Sequence, residues 1–384
     1  MTAFALTEDQ RAFAAEVRDL GARELRPIAE GGEPGRVNRE LIKALGRFGL
    51  LARLFPGVAG GQPSREAAAT DLCLLRESLA TQTTEAETAL ALQGLGSYPV
   101  LQSGRPEQVR RWLPAVAAGD AVAAFALSEP GAGSDAAALE LAAEPDGSGW
   151  RLTGQKMWIS NAPEADFYTV FARTTAGARA RGVSAFVVPA DRPGLSGEHL
   201  DMVSPHPIGT LSFDGVPVHA GELLGERDRG FVVAMRTLDL FRPSVGAFAV
   251  GMAQAALDAA VAYANTRAVF GGPLKDQQAV AHLLAEMATR TEAARLLVYS
   301  AAAALDDGAV VAGRSAMAKL LATETAQFVV DAAVQIHGAR ALQRGHLLEH
   351  LYREVRAPRI YEGASEIQRT IIARELLRRD GAGH

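Results

Sequence analysis

The chain has 384 residues, 48% hydrophobic and 22% charged, with a net charge of −5. That composition is ordinary for a globular protein and long enough for two or three domains sharing a large buried core, while the acidic balance argues against a nucleic-acid partner. Basic residues are almost all arginine, lysine occurring only at Lys43, Lys156, Lys275 and Lys319, and the single cysteine, Cys73, excludes an intrachain disulfide.

Met1-Thr2-Ala3-Phe4 lacks the basic-then-apolar start of a signal peptide. No uninterrupted apolar run reaches about 18 residues, so no membrane span is expected, and a cytoplasmic enzyme is the default. Cys73, within Leu72-Cys73-Leu74-Leu75, reads as a small buried hydrophobe rather than a nucleophile.

The first third reads as helices. Thr7-Glu8-Asp9-Gln10 is a capping box opening a helix with Phe13, Val17 and Leu20 on one face, and Gly31–Gly35 breaks it. Asn38 caps a second helix, Arg39 to Phe48. A glycine-rich loop runs from Pro56 to Pro63, Ser64 opens a third helix carrying Leu72, Leu75 and Leu79, and Pro106 stands where a first-turn proline belongs.

The pattern changes near Asp120. Ala121–Leu127 is a short apolar run. Trp150–Gly154 and parts of Asp166–Ala172 alternate, and Val183–Val188 and Ile208–Val216 read as further strands, separated by turn signals such as Pro145-Asp146-Gly147. Helical periodicity returns at about Gly230, with Val280, Leu283, Leu284 and Met287 on one face and Met317, Leu320, Leu321 and Phe328 on another. Pro243 is expected to kink its helix, and Gly381–His384 to be a frayed tail. The order is a helical N-terminal domain (1–120), a middle β barrel or sandwich (121–229) and a C-terminal four-helix bundle (230–384). With no βαβ repetition the fold class is α+β.

Two strings, the first glycine-rich, and one carboxylate stand out. Phe125-Ala126-Leu127-Ser128-Glu129-Pro130-Gly131-Ala132-Gly133-Ser134-Asp135 follows a strand, and its glycines let backbone N–H groups approach an anion or a flat ring. It lacks the third glycine of a dinucleotide fingerprint, so its Gly-x-Gly alone reads better as a plain turn. Gly154-Gln155-Lys156-Met157-Trp158-Ile159-Ser160 reads as a strand end with a core tryptophan. Glu362, between Tyr361 and Gly363, is either a solvated turn residue or a base raised toward neutrality by burial, with Ser365 capping the helix that follows. No metal is expected: His337 has no partner at ligand spacing, and His346 with His350 gives only two candidates.

Taken whole, Tyr361-Glu362-Gly363-Ala364-Ser365-Glu366-Ile367-Gln368-Arg369 closely resembles the C-terminal signature of acyl-CoA dehydrogenases. The other strings resemble that family too, as does Arg267-Ala268-Val269-Phe270-Gly271 with Gln277-Gln278. The likeness covers essentially the whole chain.

The resemblance implies an FAD-dependent enzyme that oxidises an acyl-CoA thioester to the trans-2-enoyl product. Glu362 removes the α-proton and flavin N5 takes the β-hydrogen as hydride. It implies that Phe125, Leu127, Ser128, Gly133, Ser134, Trp158, Ile159 and Ser160 bind the flavin, the Ser160 hydroxyl serving N5. Arg267, Phe270, Gln277, Gln278, Gln335, Ile336, Gly338, Ala339, Ala364 and Glu366 hold the nucleotide, Arg267 as a pyrophosphate clamp.

Ser134, Asp239, Phe241, Arg242, Tyr361 and Gly363 line the substrate's path. Some relatives carry their base at the position of Phe241, which leaves Glu362 as the motif-placed base here. In the family, Arg267 and the Gln335–Gly338 segment reach the nucleotide of a neighbouring subunit, so a homo-oligomer, a tetramer by family habit, is implied. An electron-transfer flavoprotein is implied as acceptor. Ala364 replaces a usual threonine and forfeits one nucleotide hydrogen bond. An acyl group on a carrier protein is a near variant of the substrate, and the same fold also hosts flavin monooxygenases and a nucleic-acid-associated relative.

Overall fold

The computed structural model describes residues 6–58 and 68–380. The expected Ser64 helix start, much of the Pro56–Pro63 loop and the Gly381–His384 tail lie outside them. Helices α1 (Glu8–Leu20), α2 (Arg26–Glu30), α3 (Arg39–Arg47), α4 (Ala69–Ala80), α5 (Thr84–Ser103) and α6 (Pro106–Ala118) come first. Strands β1 (Ala123–Ala126), β2 (Ala142–Asp146), β3 (Gly149–Ser160), β4 (Phe167–Arg173), β5 (Val183–Pro189), β6 (Leu195–His199), β7 (Ile208–Val218) and β8 (Leu223–Leu224) follow. The remainder is α7 (Gly230–Thr266), a small hairpin of β9 (Ala268–Val269) and β10 (Gly272–Pro273), α8 (Gln278–Asp306), α9 (Ala312–His337), α10 (Leu347–Glu354) and α11 (Ser365–Asp380).

Local chemistry sets several of these ends. Thr7 Oγ1 accepts from Gln10 N at 3.2 Å while Gln10 Oε1 accepts from Thr7 N at 2.9 Å, a complete capping box. Asn38 Oδ1 accepts from Leu41 N at 3.0 Å, and Pro106 is the first residue of α6. The first two N–H groups of α4 are satisfied from afar, for Asp306 at the end of α8 accepts from Ala69 N at 2.6 Å and Thr70 N at 2.9 Å. Pro243 lies inside α7 without ending it.

The chain forms two compact units, which cut across its linear order. One gathers Glu24–Ala68 and Thr88–Leu238; the other gathers the residues up to Arg23, Ala69–Glu87, and everything from Asp239 onward. In the first, an eight-stranded sheet runs β6-β7-β3-β2-β4-β5-β8, with β1 added in parallel to β4. Strands β4 and β5 are buried along nearly their whole length, so β4 shows no alternation; it is apolar on both faces, as a sheet centre covered on both sides must be. Helix α5 lies so close to β1 that a Cβ on Gly96 would stand 2.7 Å from Ala124 N, and the Gln93 amide fills the gap, donating to Ala121 O and accepting from Ala123 N.

In the second unit, α7, α8, α9 and α11 make the bundle. Alanine, not leucine, forms its seam: Ala318, Ala322 and Ala326 of α9 are buried, whereas Met317 and Leu321 are 36% and 39% exposed. The expected leucine stripe is therefore not the packing face. Small side chains let the backbones approach, and Gly246 of α7 sits where a Cβ would stand 2.7 Å from Val298. By length and composition α7 could cross a bilayer, but 67% of its most apolar window is buried in the fold, as in a core helix.

Candidate active site

The Tyr361–Gly363 segment is a short left-handed turn before α11. Glu362 has φ +51° and Gly363 φ +91°, and a Cβ on Gly363 would stand 2.6 Å from Gln368 Nε2. A glycine is thus needed there on two counts. Three successive carbonyls are held by two side chains. Lys319 Nζ of α9 donates to Tyr361 O at 2.8 Å and Gly363 O at 2.6 Å; Gln368 Nε2 donates to Gly363 O at 2.7 Å and Glu362 O at 3.3 Å. Ser365 does not cap α11. It is the first residue of that helix, and its hydroxyl donates to Glu324 Oε1 at 2.7 Å, because Arg359 holds Glu324 beside it at 2.9 Å. Burial works against that carboxylate, but the Ser365 and Arg359 contacts outweigh it and hold its pKa below the ordinary range.

Glu362 is not a solvated turn residue. Its Oε2 is buried and makes no hydrogen bond among the described residues. Burial pushes its pKa above the ordinary carboxylate range, against the opposing pull of Arg76, Lys319 and Arg242 in that order. Its backbone N–H also has no partner among the described residues. A carboxylate poised toward neutrality with one oxygen uncommitted is what a general base requires.

Around it stands a buried polar cluster. Arg76 of α4 ion-pairs with Glu87 of α5, both nearly inaccessible, and donates to Ser244 Oγ at 2.8 Å. Ser244 in turn donates to Phe241 O at 2.7 Å. Burial works against the Arg76 charge, but Glu87, then Glu362 and Tyr361, outweigh it and raise its pKa. Phe241 is buried, and Arg242 pairs with Asp239 at 2.7 Å. The structure therefore brings Phe241, Arg242, Tyr361, Glu362 and Gly363 into one neighbourhood, with Asp239, whose side chain is half exposed, paired to Arg242 at its edge. Lys319, Arg76, Glu87 and Gln368 belong to it as well, and sequence reasoning missed them. Lysine's rarity was the available signal: of four, Lys156 and Lys319 are buried.

In the sheet unit the 125–135 and 154–160 strings adjoin. Met157 N donates to Ser128 O at 3.1 Å, and the buried Lys156 Nζ donates to Leu127 O at 2.9 Å and Glu129 Oε1 at 2.7 Å. Phe125 leans on Phe171 with centroids 4.9 Å apart, and Leu127 and Ile159 are buried. Trp158 is not a core residue. At φ +58° it is turned out, 46% exposed. Gly133 and Ser134 are exposed, and a Cβ on Gly131 or Gly133 would meet nothing within 4 Å. The hydroxyls of Ser128, Ser134 and Ser160 make no hydrogen bond among the described residues. An open glycine turn, an outward indole and three uncommitted hydroxyls fit a flat, hydrogen-bonding cofactor such as a flavin.

The proposed nucleotide residues of the bundle unit sit at its surface. Arg267, Gln278, Gln335, Gly338, Ala339 and Glu366 are exposed; Gln277, Ile336 and Ala364 are half-buried. Phe270 is 98% exposed at φ +47°. The β9–β10 hairpin joins Arg267 to Gln277 through Leu274, whose N–H donates to Arg267 O at 2.6 Å. His337, at the end of α9, stacks on Tyr263 with centroids 4.3 Å apart, and Tyr263 O accepts from Arg267 N at 2.8 Å. That stack brings the 335–339 segment beside the hairpin. Three of the six non-glycine residues with positive φ among the described residues are Trp158, Phe270 and Glu362; such strained positions gather at functional sites. Among the described residues no three His, Cys, Asp or Glu side chains group as metal ligands would.

The chain matches three family models: Acyl-CoA dehydrogenase, N-terminal domain (residues 7–120), middle domain (124–216) and C-terminal domain (228–377). It is 34% identical over 379 residues to cyclohexane-1-carbonyl-CoA dehydrogenase of Geobacter metallireducens, covering 98% of this chain and 99% of that one. It is 38% identical over 383 residues to the mitochondrial short-chain specific acyl-CoA dehydrogenase of Bos taurus, covering 97% and 91%. Among solved structures, butyryl-CoA dehydrogenase from Megasphaera elsdenii superposes with a TM-score of 0.91 at 33% identity, covering 98% of this chain and all of that one.

Proposed function

The chain belongs to the acyl-CoA dehydrogenase family of FAD-dependent oxidoreductases, and from that premise we propose that it converts an acyl-CoA to its trans-2-enoyl-CoA with Glu362 as the base. The observation that carries this reading is the buried, uncommitted Glu362 Oε2, whose pKa burial raises. The carboxylate takes the α-proton, the electrons of that C–H bond become the new C=C bond, and the β-hydrogen departs with its electron pair. Bound FAD supplies the acceptor for that hydride.

An α-proton of a thioester is too weakly acidic for a carboxylate unless the carbonyl is polarised. The Glu362 N–H, free of any other partner among the described residues, serves as that donor, an oxyanion-hole contact from the same residue. Phe241, buried and apolar, excludes water from the reacting carbons. Ser128, Ser134, Trp158 and Ser160 hold the flavin ring. Arg267, Phe270, Gln278 and the 335–339 segment, exposed on the bundle unit, bind the nucleotide across an interface in a homo-oligomer. An electron-transfer flavoprotein takes the electrons on.

The test is anaerobic mixing of the FAD-loaded enzyme with a panel of acyl-CoAs, read by flavin bleaching. Glu362→Gln is expected to bind FAD and lose at least 10²–10⁴-fold in the reduction rate, roughly what a general base contributes. Bleaching at near wild-type speed by that variant would remove Glu362 from the role.

A further inference from the structure

Lys319 is a buried lysine without a salt bridge among the described residues. An ammonium taken from water usually finds a carboxylate to lie against. This one spends its donors on two backbone carbonyls, Tyr361 O at 2.8 Å and Gly363 O at 2.6 Å, the two that flank Glu362. Neither carbonyl is in a helix or strand, and the second is shared with the Gln368 amide. Glu362 between them is held at φ +51°, which L side chains adopt only when surroundings enforce it. A neutral amide can donate to such carbonyls without the desolvation cost of a charge, as Gln368 already does to Glu362 O and Gly363 O. The charge at position 319 therefore needs its own explanation, and the nearby carboxylate with a free buried oxygen is Glu362.

We propose that Lys319 is a positioning residue for the base: its ammonium clamps the carbonyls on either side of Glu362, and its charge favours the carboxylate over the carboxylic acid. This rests on the reading of Glu362 as base. The charged and titratable groups facing the pair come from five other elements. They are Arg76 on α4, Glu87 on α5, Arg242 on α7, Glu354 on α10 and Glu366 on α11, with Glu324 on α9 itself and Tyr361 in the turn. Arg76 and Arg242 remain when Lys319 is changed, so the effect sought is a shift, not abolition.

The experiment compares FAD-loaded wild type with Lys319→Met, Lys319→Gln and Lys319→Arg. Two readouts are taken: amide hydrogen exchange over 360–368, and the pH dependence of single-turnover flavin bleaching by saturating butyryl-CoA. In Lys319→Met, exchange over 360–368 is expected to rise at least about tenfold with the rest of the chain unchanged. The limiting rate should fall roughly 10²-fold through misplacement of the base, and the acid limb of the profile should move up by roughly one pH unit through loss of a nearby cation.

Lys319→Arg keeps the charge and should leave the acid limb near its wild-type position. An acid limb that does not move in Lys319→Met, or unchanged exchange over 360–368, overturns the proposal. Should Lys319→Met not hold FAD, Lys319→Gln decides, since it keeps a donor and drops the charge: an unmoved acid limb there overturns the proposal equally. Glu362→Gln is run alongside. If that variant bleaches normally the base assignment has failed, and the exchange data still judge the clamp.

Discussion

Arg76 and Glu87 form a buried ion pair across eleven residues of chain, and the free side of the Arg76 guanidinium reaches Ser244, 168 residues further on, at 2.8 Å. Of the cations acting on Glu362, Arg76 has the largest effect. Glu87 therefore governs the base indirectly, by neutralising part of that influence.

The consequence is a pair of opposite shifts. Glu87→Gln leaves Arg76 uncompensated, so Glu362 ionises more readily and the acid limb of the bleaching profile moves to lower pH. Arg76→Gln removes the cation and moves the limb to higher pH. Each variant also breaks a buried pair and should cost about 3–5 kcal/mol in denaturant unfolding. Shifts of the same sign in the two variants would show that the pair does not act through Glu362.

Glu362 itself is predicted to be a liability to the fold. Its pKa is raised by burial, so the folded chain holds the proton more tightly than the unfolded chain. Its contribution is favourable below the unfolded value, about 4.3, and is lost as pH rises through the raised folded value. Ionising the carboxylate in the folded chain leaves a charge whose Oε2 is buried and has no hydrogen bond among the described residues. Glu362→Gln should then stabilise the holoenzyme by on the order of 1 kcal/mol at pH 7, in the manner of other strained catalytic positions. The gain should vanish near pH 4. Thermal melts across that range check it; a variant no more stable than wild type at pH 7 contradicts it.

How much of this was legible in the sequence depended on the range of the interaction. Caps are local, so Thr7, Asn38 and Pro106 marked α1, α3 and α6 correctly. Helix α5 was missed because its buried residues lie all around it and leave no stripe, as the consecutive Ala86, Glu87 and Thr88, all buried, show. Strand β6, an edge strand of Leu195-Ser196-Gly197-Glu198-His199, carries too little apolar character to announce itself. On α9 the eye follows leucine, while close helix approach selects alanine. Glu362 was visible through its motif. Its environment was not, because Lys319 reaches its turn across 42 residues of chain and the charge of Arg76 acts on it from α4, which no local pattern encodes.

The sheet unit has its own buried lysine. Lys156 is held between Leu127 O and Glu129, and Glu129 also accepts from the backbone N–H groups of Glu140 at 2.6 Å and Leu141 at 2.9 Å. Lys156→Met leaves that carboxylate buried with two donors and no cation, at a cost of about 3–5 kcal/mol, and should lower the fraction of FAD retained on purification because the Leu127–Ser128 segment loosens. Burial lowers the pKa of both Lys156 and Lys319 to about 8 from the ordinary 10.5. In that window the unfolded chain binds more protons, so wild-type stability should gain a contribution as pH rises from about 8 to 10.5. Each lysine-to-methionine variant should lose its share. A variant whose stability climbs over that range as steeply as wild type would refute the assignment.

Phe270 offers a test in which the sign alone decides. It is 98% exposed and stands at φ +47°, a conformation disfavoured for a bulky side chain and tolerated by asparagine. Were the single chain the functional unit, Phe270→Asn would relieve strain and lose no burial, so the protein should become slightly more stable. In the proposed homo-oligomer the ring is covered by a neighbour, and burying a phenylalanine contributes roughly 1.5–3 kcal/mol. Phe270→Asn should then weaken assembly and release FAD in step with it. Arg267→Glu, on the same hairpin, should do the same by placing a negative charge where a pyrophosphate is to lie. Light scattering over a dilution series, with the flavin-to-protein absorbance ratio at each point, gives both quantities together. If Phe270→Asn keeps its mass and its FAD while its melting temperature rises, the hairpin is not an interface, and the nucleotide is held by one chain alone.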